Sequence, residues 1–206
     1  MDYLVIGLGN PSPQYDGTRH NTGSEAVGRW AAAIFREAGE TVSSVRMLPC
    51  PISIPHFRGH ASMLTFSGAN IIVCVDLGTY MNESGEAVAT LLNYKKILPE
   101  KLVVVHDELA LPLGRIRVDR NSSAAGHNGV QSIIDALGTQ DFIRIRLGIE
   151  TRPNHDIPGE TFVLQRFTPM EATEMQRLYD RAAAALASLL IIGLERTMSE
   201  FNRDSD

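Results

Sequence analysis

The 206 residues suffice for one domain with a large buried core, and no disulfide staple is needed at this length. Apolar residues make up 44% and charged residues 21%, the balance of a folded chain and not of a disordered one. A net charge of −5 excludes a surface that binds nucleic acid all over, as a histone does.

Tyr3 to Ile6 is a short apolar, β-branched run that ends in Gly7-Leu8-Gly9-Asn10-Pro11, which reads as a buried strand entering a tight loop. The start Met-Asp-Tyr-Leu-Val has no basic segment before a long apolar run, so no secretory signal is expected and a cytoplasmic location is. From Ser24 the apolar spacing turns helical through Val27, Trp30, Ala31, Ile34, Phe35 and Ala38, with Gly39 as a stop. Residues 40–60 show no period, and Pro49, Pro51 and Pro55 keep them out of a central strand. Ala61–Phe66 and Ile71–Val75 flank Ser67-Gly68-Ala69-Asn70 as a hairpin, and a helix is expected from Glu86 to Tyr94.

Leu102–Val105 is a second fully apolar strand and runs into His106-Asp107-Glu108. Arg115–Asp119 alternates, and Asn128 to Leu137 is helical by Val130, Ile133, Ile134 and Leu137, closed by Gly138. In Phe142–Ile149 the residues Ile143, Ile145, Leu147 and Ile149 share one face, with Arg144 and Arg146 on the other. The last 35 residues are helical with a break at Gly193. Their longest apolar stretch, Ala182 to Leu194, has 13 residues, short of the roughly 20 that span a bilayer. Two cysteines, Cys50 and Cys74, offer one bridge at most and no metal-ligand spacing. Strands alternating with helices, two of the strands uniformly apolar, predict an α/β fold in one domain, 1–206. It is a three-layer α/β/α arrangement around a mixed, mostly parallel sheet.

Polar residues gather where the apolar strands stop: Asn10, then His20 and Asn21, then Asn82, Asp107 and Asn128. Open α/β sheets build their sites outside the carboxyl ends of strands, so these positions can converge. Each also has a plainer use. Asn10 before Pro11 suits a turn, His20 a surface loop, and Asn82 and Asn128 helix starts. Gly7-Leu8-Gly9 lacks the third glycine and the distal acid of a dinucleotide loop. Of the 19 basic residues, 16 are arginine, a fork that fits phosphate, although genome composition drives arginine usage too.

Taken together, Leu4-Val5-Ile6-Gly7-Leu8-Gly9-Asn10-Pro11, Tyr15, Thr18-Arg19-His20-Asn21-Thr22-Gly23 and Thr79-Tyr80-Met81-Asn82-Glu83-Ser84-Gly85 closely resemble the bacterial-type peptidyl-tRNA hydrolase family. The likeness continues through His106-Asp107-Glu108-Leu109, Leu111-Pro112, Gly114, Gly126-His127-Asn128-Gly129 and Phe142–Ile149, in family order to about residue 166. The resemblance implies hydrolysis of the ester joining a peptidyl group to the 3′ end of tRNA, by a monomer without metal or cofactor. It implies His20 as general base, Asp107 as its partner and Asn10 beside them in catalysis. It further implies Asn82, Asn128, Tyr15 and Tyr80 as substrate contacts and Arg146 as a grip on the tRNA 5′-phosphate. The partner is then peptidyl-tRNA at its acceptor stem and 3′ end, with neither membrane nor DNA involved.

The chemistry is coherent in its own terms. An aminoacyl ester is activated, so a base near neutral pKa can drive water onto it. An ionised aspartate fixes the histidine tautomer and stabilises the imidazolium. No serine sits in a nucleophile elbow, which argues against an acyl-enzyme. The chain departs from the family pattern in Asn121-Ser122-Ser123-Ala124-Ala125, where glycines are usual, and in Asp119, where a lysine is usual. The negative Asp119 is expected to repel phosphate, with Arg117 or Arg120 taking the lysine's place. A non-catalytic RNA-binding protein of the same fold is the alternative function.

Overall fold

The computed structural model describes residues 3–41, 48–49, 57–66, 69–152 and 157–203. Seven strands form one sheet: β1 (Tyr3–Gly7), β2 (Leu48–Pro49), β3 (His60–Phe66), β4 (Ala69–Asp76), β5 (Leu102–Pro112), β6 (Ile116–Arg120) and β7 (Ile143–Glu150). Their order is β2-β3-β4-β1-β5-β7-β6. The central pairs β4-β1, β1-β5 and β5-β7 are parallel, and the outer pairs are antiparallel. Only β3 and β6 therefore run against the common direction among the described strands.

Both central strands are buried on two faces, which is why they read as unbroken apolar runs. Val5, Val103, Val105, Ile143, Ile145 and Leu147 meet α1 (Thr22–Thr41) and α5 (Pro169–Ile192) on one side. Leu4, Ile6, Ile72, Cys74, Leu102 and Val104 meet α2 (Ser84–Lys95) and α3 (Asn128–Leu137) on the other. A short α4 (Gly159–Phe162) precedes α5, and α6 (Leu194–Phe201) follows the break at Gly193. Among the described residues no helix is long and apolar enough to cross a membrane.

The helix ends obey local chemistry. Thr168 and Glu171 form a reciprocal capping box around Pro169 at the start of α5. Gly138 ends α3 with φ of 65°. The strand expected over Leu102–Val105 continues instead to Pro112, because β7 goes on pairing it through Glu108–Gly148 and again at Pro112–Glu150. Asp107 thus sits within a strand and caps no turn. Pro49 lies in the two-residue edge strand β2, while Cys50, Pro51, Pro55 and the hairpin tip at 67–68 fall outside the described residues.

The first turn of α1 approaches β1 and β5 so closely that only glycine fits at position 23. A Cβ there would lie 2.2 Å from the Val105 carbonyl oxygen and 2.8 Å from the Leu8 nitrogen, both backbone atoms that cannot step aside. Gly23→Ala is expected to lower stability by about 2–3 kcal/mol, read as a lower denaturant midpoint at unchanged slope. An unchanged midpoint would mean that the helix does not enter against the sheet this way.

Candidate active site

His20 is carried on a single 3₁₀ turn, Arg19–Asn21, just before α1. The backbone fastens this turn to the far end of the chain: Arg19 N–H donates to the Gln165 carbonyl at 3.0 Å and His20 N–H to that of Val163 at 2.8 Å. The Arg19 side chain is buried and adds a second anchor. It pairs with Glu171 at 2.6 Å, donates to the Arg166 carbonyl at 2.6 Å and stacks over Phe162 and Phe167. His20 is therefore only 7% exposed, a buried ring and not the surface-loop histidine that its neighbours also allowed.

From β5, Asp107 presents its carboxylate to two imidazoles. His20 Nδ1 lies 3.0 and 3.1 Å from the two carboxylate oxygens, and His127 Nε2 lies 3.1 Å from Oδ1. His127 is the residue before α3, and its Nδ1 accepts from the Val130 backbone N–H at 3.3 Å. That acceptance puts the proton of a neutral His127 on Nε2, facing Asp107. His20 likewise directs Nδ1–H at the carboxylate, which leaves the lone pair of its neutral form on Nε2. Two donors thus converge on one carboxylate.

The electrostatics follow. Burial drives the Asp107 pKa upward, but the charges of His20 and His127 and their hydrogen bonds overcome it and hold the carboxyl far below its usual range. Burial likewise pulls His20 down, and the Asp107 charge and hydrogen bond outweigh that and leave its pKa raised. A third imidazole, His106, is fully buried beside them, its ring 4.7 Å from that of His127. Burial first, then His127, press its pKa well down, so it is neutral, and its Nδ1 bonds the Asp107 carbonyl at 2.6 Å.

His20, Asp107, Leu109, His127 and Asn128 line a cavity of about 280 Å³, closed on other sides by Ala125, Gly159, Glu160 and Val163. Ala125 adopts φ of 48°, a left-handed conformation that costs an L-residue about 1–2 kcal/mol and that glycine takes freely. The altered loop before Gly126 thus holds a glycine-like turn without the glycine. His20, Asp107 and His127 also have ligand atoms within 4.8 Å of one another. A metal ion there would have to displace both protons that now bridge to Asp107.

The other predicted residues lie around this centre. Asn10 lines a separate depression of about 230 Å³ with Asn21 and Ser24. Its Oδ1 accepts from Met81 N–H at 2.8 Å, and its backbone exchanges two hydrogen bonds with the Asn21 amide. Asn82 is exposed on the turn Met81–Glu83. Tyr15 and the exposed Tyr80 meet edge to face at 6.5 Å between ring centres.

The arginines are sorted by partner. Arg146 pairs with Asp119 and with Glu108, each at 2.8 Å, and the fully buried Arg144 shares Asp119 at 3.2 Å. Arg120 pairs with Asp141 at 2.5 Å on the surface. Arg117 is exposed and has no carboxylate partner among the described residues. Sequence reasoning assigned His127 no role, although a histidine between Gly126 and Asn128 at a helix start was the available signal. It read Asp119 only as a repulsive charge and missed that it holds two arginines.

The family model described as peptidyl-tRNA hydrolase matches residues 4–206. The peptidyl-tRNA hydrolase of Cutibacterium acnes is 39% identical over 97% of this chain and 98% of its own length. That of Gloeobacter violaceus is 36% identical over 98% and 94%. The crystal structure of peptidyl-tRNA hydrolase from Acinetobacter baumannii superposes with a TM-score of 0.80 at 28% identity, covering 97% of this chain and 94% of that one. On sequence, fold and length alike, this chain belongs to the peptidyl-tRNA hydrolase family.

Proposed function

We propose that the chain hydrolyses the ester of peptidyl-tRNA, releasing free tRNA and peptide, with His20 as general base and Asp107 as its partner. The observation that carries this reading is the buried Asp107 carboxylate fixing Nδ1–H of a cavity-lining histidine. Neutral His20 can then take a proton from water through Nε2 as that water attacks the ester carbonyl. The imidazolium that forms is stabilised by Asp107, and it can return the proton to the departing ribose oxygen. His127 keeps Asp107 ionised from the other side, so the partner does not itself accept the proton. The amides of Asn10, Asn82 and Asn128 suit peptide groups and the developing oxyanion, since they donate and accept without competing for the proton. Tyr15 and Tyr80 offer ring faces to the tRNA end and the peptide.

Among the expected phosphate contacts, Arg146 and Arg120 must be won from Asp119, Glu108 and Asp141, whereas Arg117 has no such competitor among the described residues. The same reading makes the protein a cytoplasmic monomer that meets tRNA at its acceptor stem and 3′ end.

The direct test is release of the acyl group from N-acetyl-aminoacyl-tRNA. The wild type should turn over, and His20→Asn should lose about 10²–10⁴-fold in kcat while still binding tRNA. Asparagine is chosen because alanine would leave the buried carboxylate short of a donor. Wild-type rates in that variant would remove His20 from the mechanism.

Asp107→Asn tests the pairing. The base works in its neutral form, so activity rises with pH through the His20 pKa. Without the negative charge the imidazolium loses its support, that pKa falls, and the acid limb of the pH–rate profile moves to lower pH as the rate drops. A profile that stays in place would show that the two side chains are not partners.

Asn10→Asp keeps an acceptor for Met81 N–H and replaces the amide donor with a negative charge. If the Asn10 oxygen accepts from the acylated N–H, the added charge favours the free ammonium instead, and preference for N-acylated over free aminoacyl-tRNA should shrink. Equal losses on both substrates would sink the role.

A further inference from the structure

Beyond the catalytic cavity, four arginines from three separate segments converge on one groove. Arg115 and Arg117 come from the turn into β6 and from β6 itself, Arg181 from α5 and Arg203 from the residues after α6. With Leu111, Pro112, Ile116 and Asn202 they enclose about 210 Å³. Among the described residues no carboxylate lines it; Asp204 and Asp206, which follow in sequence, lie outside them. In a chain of net charge −5, this density of one sign is local and not a general property of the surface.

The packing that holds the groove is specific. Asn202 closes the β6 edge by accepting from Val118 N–H at 2.7 Å and donating to the Val118 carbonyl at 2.8 Å, so Arg203 emerges beside Arg117. Arg181 reaches the Gly114 carbonyl at 3.4 Å across the turn that precedes β6. The groove also adjoins the site. Leu109 lines the catalytic cavity and Leu111 the groove, two residues apart on β5, about 7 Å along the strand. Across the sheet, Arg117 is in register with Arg146 and Arg146 with His106, about 10 Å over two strand spacings.

We propose that this groove binds the phosphodiester backbone of the RNA whose 3′ end enters the catalytic cavity. Guanidinium forks match phosphate oxygens in pairs, and a groove lined by several of them follows a chain of phosphates better than a single ion. The tie of Arg144 and Arg146 to Asp119 and Glu108 strengthens the case. Those two arginines and two carboxylates sum to no net charge, so the attraction for RNA passes to Arg117, Arg181 and Arg203 outside that network. The proposal rests on the peptidyl-tRNA reading for the identity of its ligand.

Two double variants test it, Arg181→Gln with Arg203→Gln, and Arg117→Gln with Arg203→Gln. The second pair is exposed, so its folding is not at stake. Binding of deacylated tRNA is measured against salt, alongside kcat/KM on N-acetyl-aminoacyl-tRNA and on the same acyl group carried by a short CCA fragment. Each variant should weaken tRNA binding roughly tenfold at low salt and lower the salt slope by about one unit per arginine removed. The loss of kcat/KM should be larger on the full tRNA than on the fragment. Unchanged affinity and slope in the exposed pair, or equal losses on both substrates, would overturn the groove. Groove-dependent tRNA binding by a wild type that releases no acyl group would uphold the groove and refute the esterase reading instead.

Discussion

The site depends on one carboxylate being ionised where there is almost no water. Asp107 is 2% exposed, and a lone charge so placed would take up a proton sooner than stay ionised. Two imidazole N–H groups and their positive potential prevent this, and each is delivered by a different piece of the fold. His127 arrives because α3 begins there and its own capping bond fixes the ring. His20 arrives because its 3₁₀ turn is clamped by the segment from Val163 to Arg166 and by Glu171 at the head of α5. The catalytic geometry is therefore a long-range property. Residues about 150 positions apart in sequence hold the general base in place.

A similar economy governs the sheet face beside it. Arg144 and Arg146 lie across the ladder from Asp119 and Arg117, on the face opposite Ile145 and Leu147. An arginine as buried as Arg144 needs a counter-charge, and Asp119 supplies it while also meeting Arg146. A lysine at position 119 would place a third cation against these two. The aspartate thus couples to the burial of Arg144, and positive charge is displaced toward the β6 edge.

Much of this was legible in the sequence where local rules suffice. The apolar period of α3 matches its span of Asn128–Leu137, and Gly138 and Gly193 mark helix ends as their positive φ values require. The alternation of β7 correctly separated the isoleucine face from the arginine face. What period and spacing cannot carry is partnership. Nothing in Asp119 announces that it neutralises arginines on the next strand, and nothing near His20 announces a ring buried by contacts from the C-terminal third. The strand end at Val105 was misjudged for a related reason. Polar residues at 106–108 look like a loop until the β7 backbone is there to pair them. The sequence also does not announce the bonds that tie Asn10 to the Asn21 amide beside His20 and to Met81 N–H beside Asn82.

The His20–Asp107 pair also sets stability against activity. Asp107 has a lowered pKa in the folded state, so its contribution is present above the ordinary value of 3.8 and is lost as pH falls through the depressed one. His20 has a raised pKa, so its contribution is complete below 6.5 and is lost as pH climbs through the raised value. Both statements describe one interaction, counted once, and it is strongest between those limits, where the aspartate is ionised and the imidazole charged. Ester hydrolysis needs the imidazole neutral. The form that catalyses is thus the one in which the pair has surrendered its ionic attraction and keeps only the Nδ1–H hydrogen bond. The second donor, His127, lets the fold tolerate that loss, because its Nε2–H bond to Asp107 stays in place while His20 cycles through both of its protonation states.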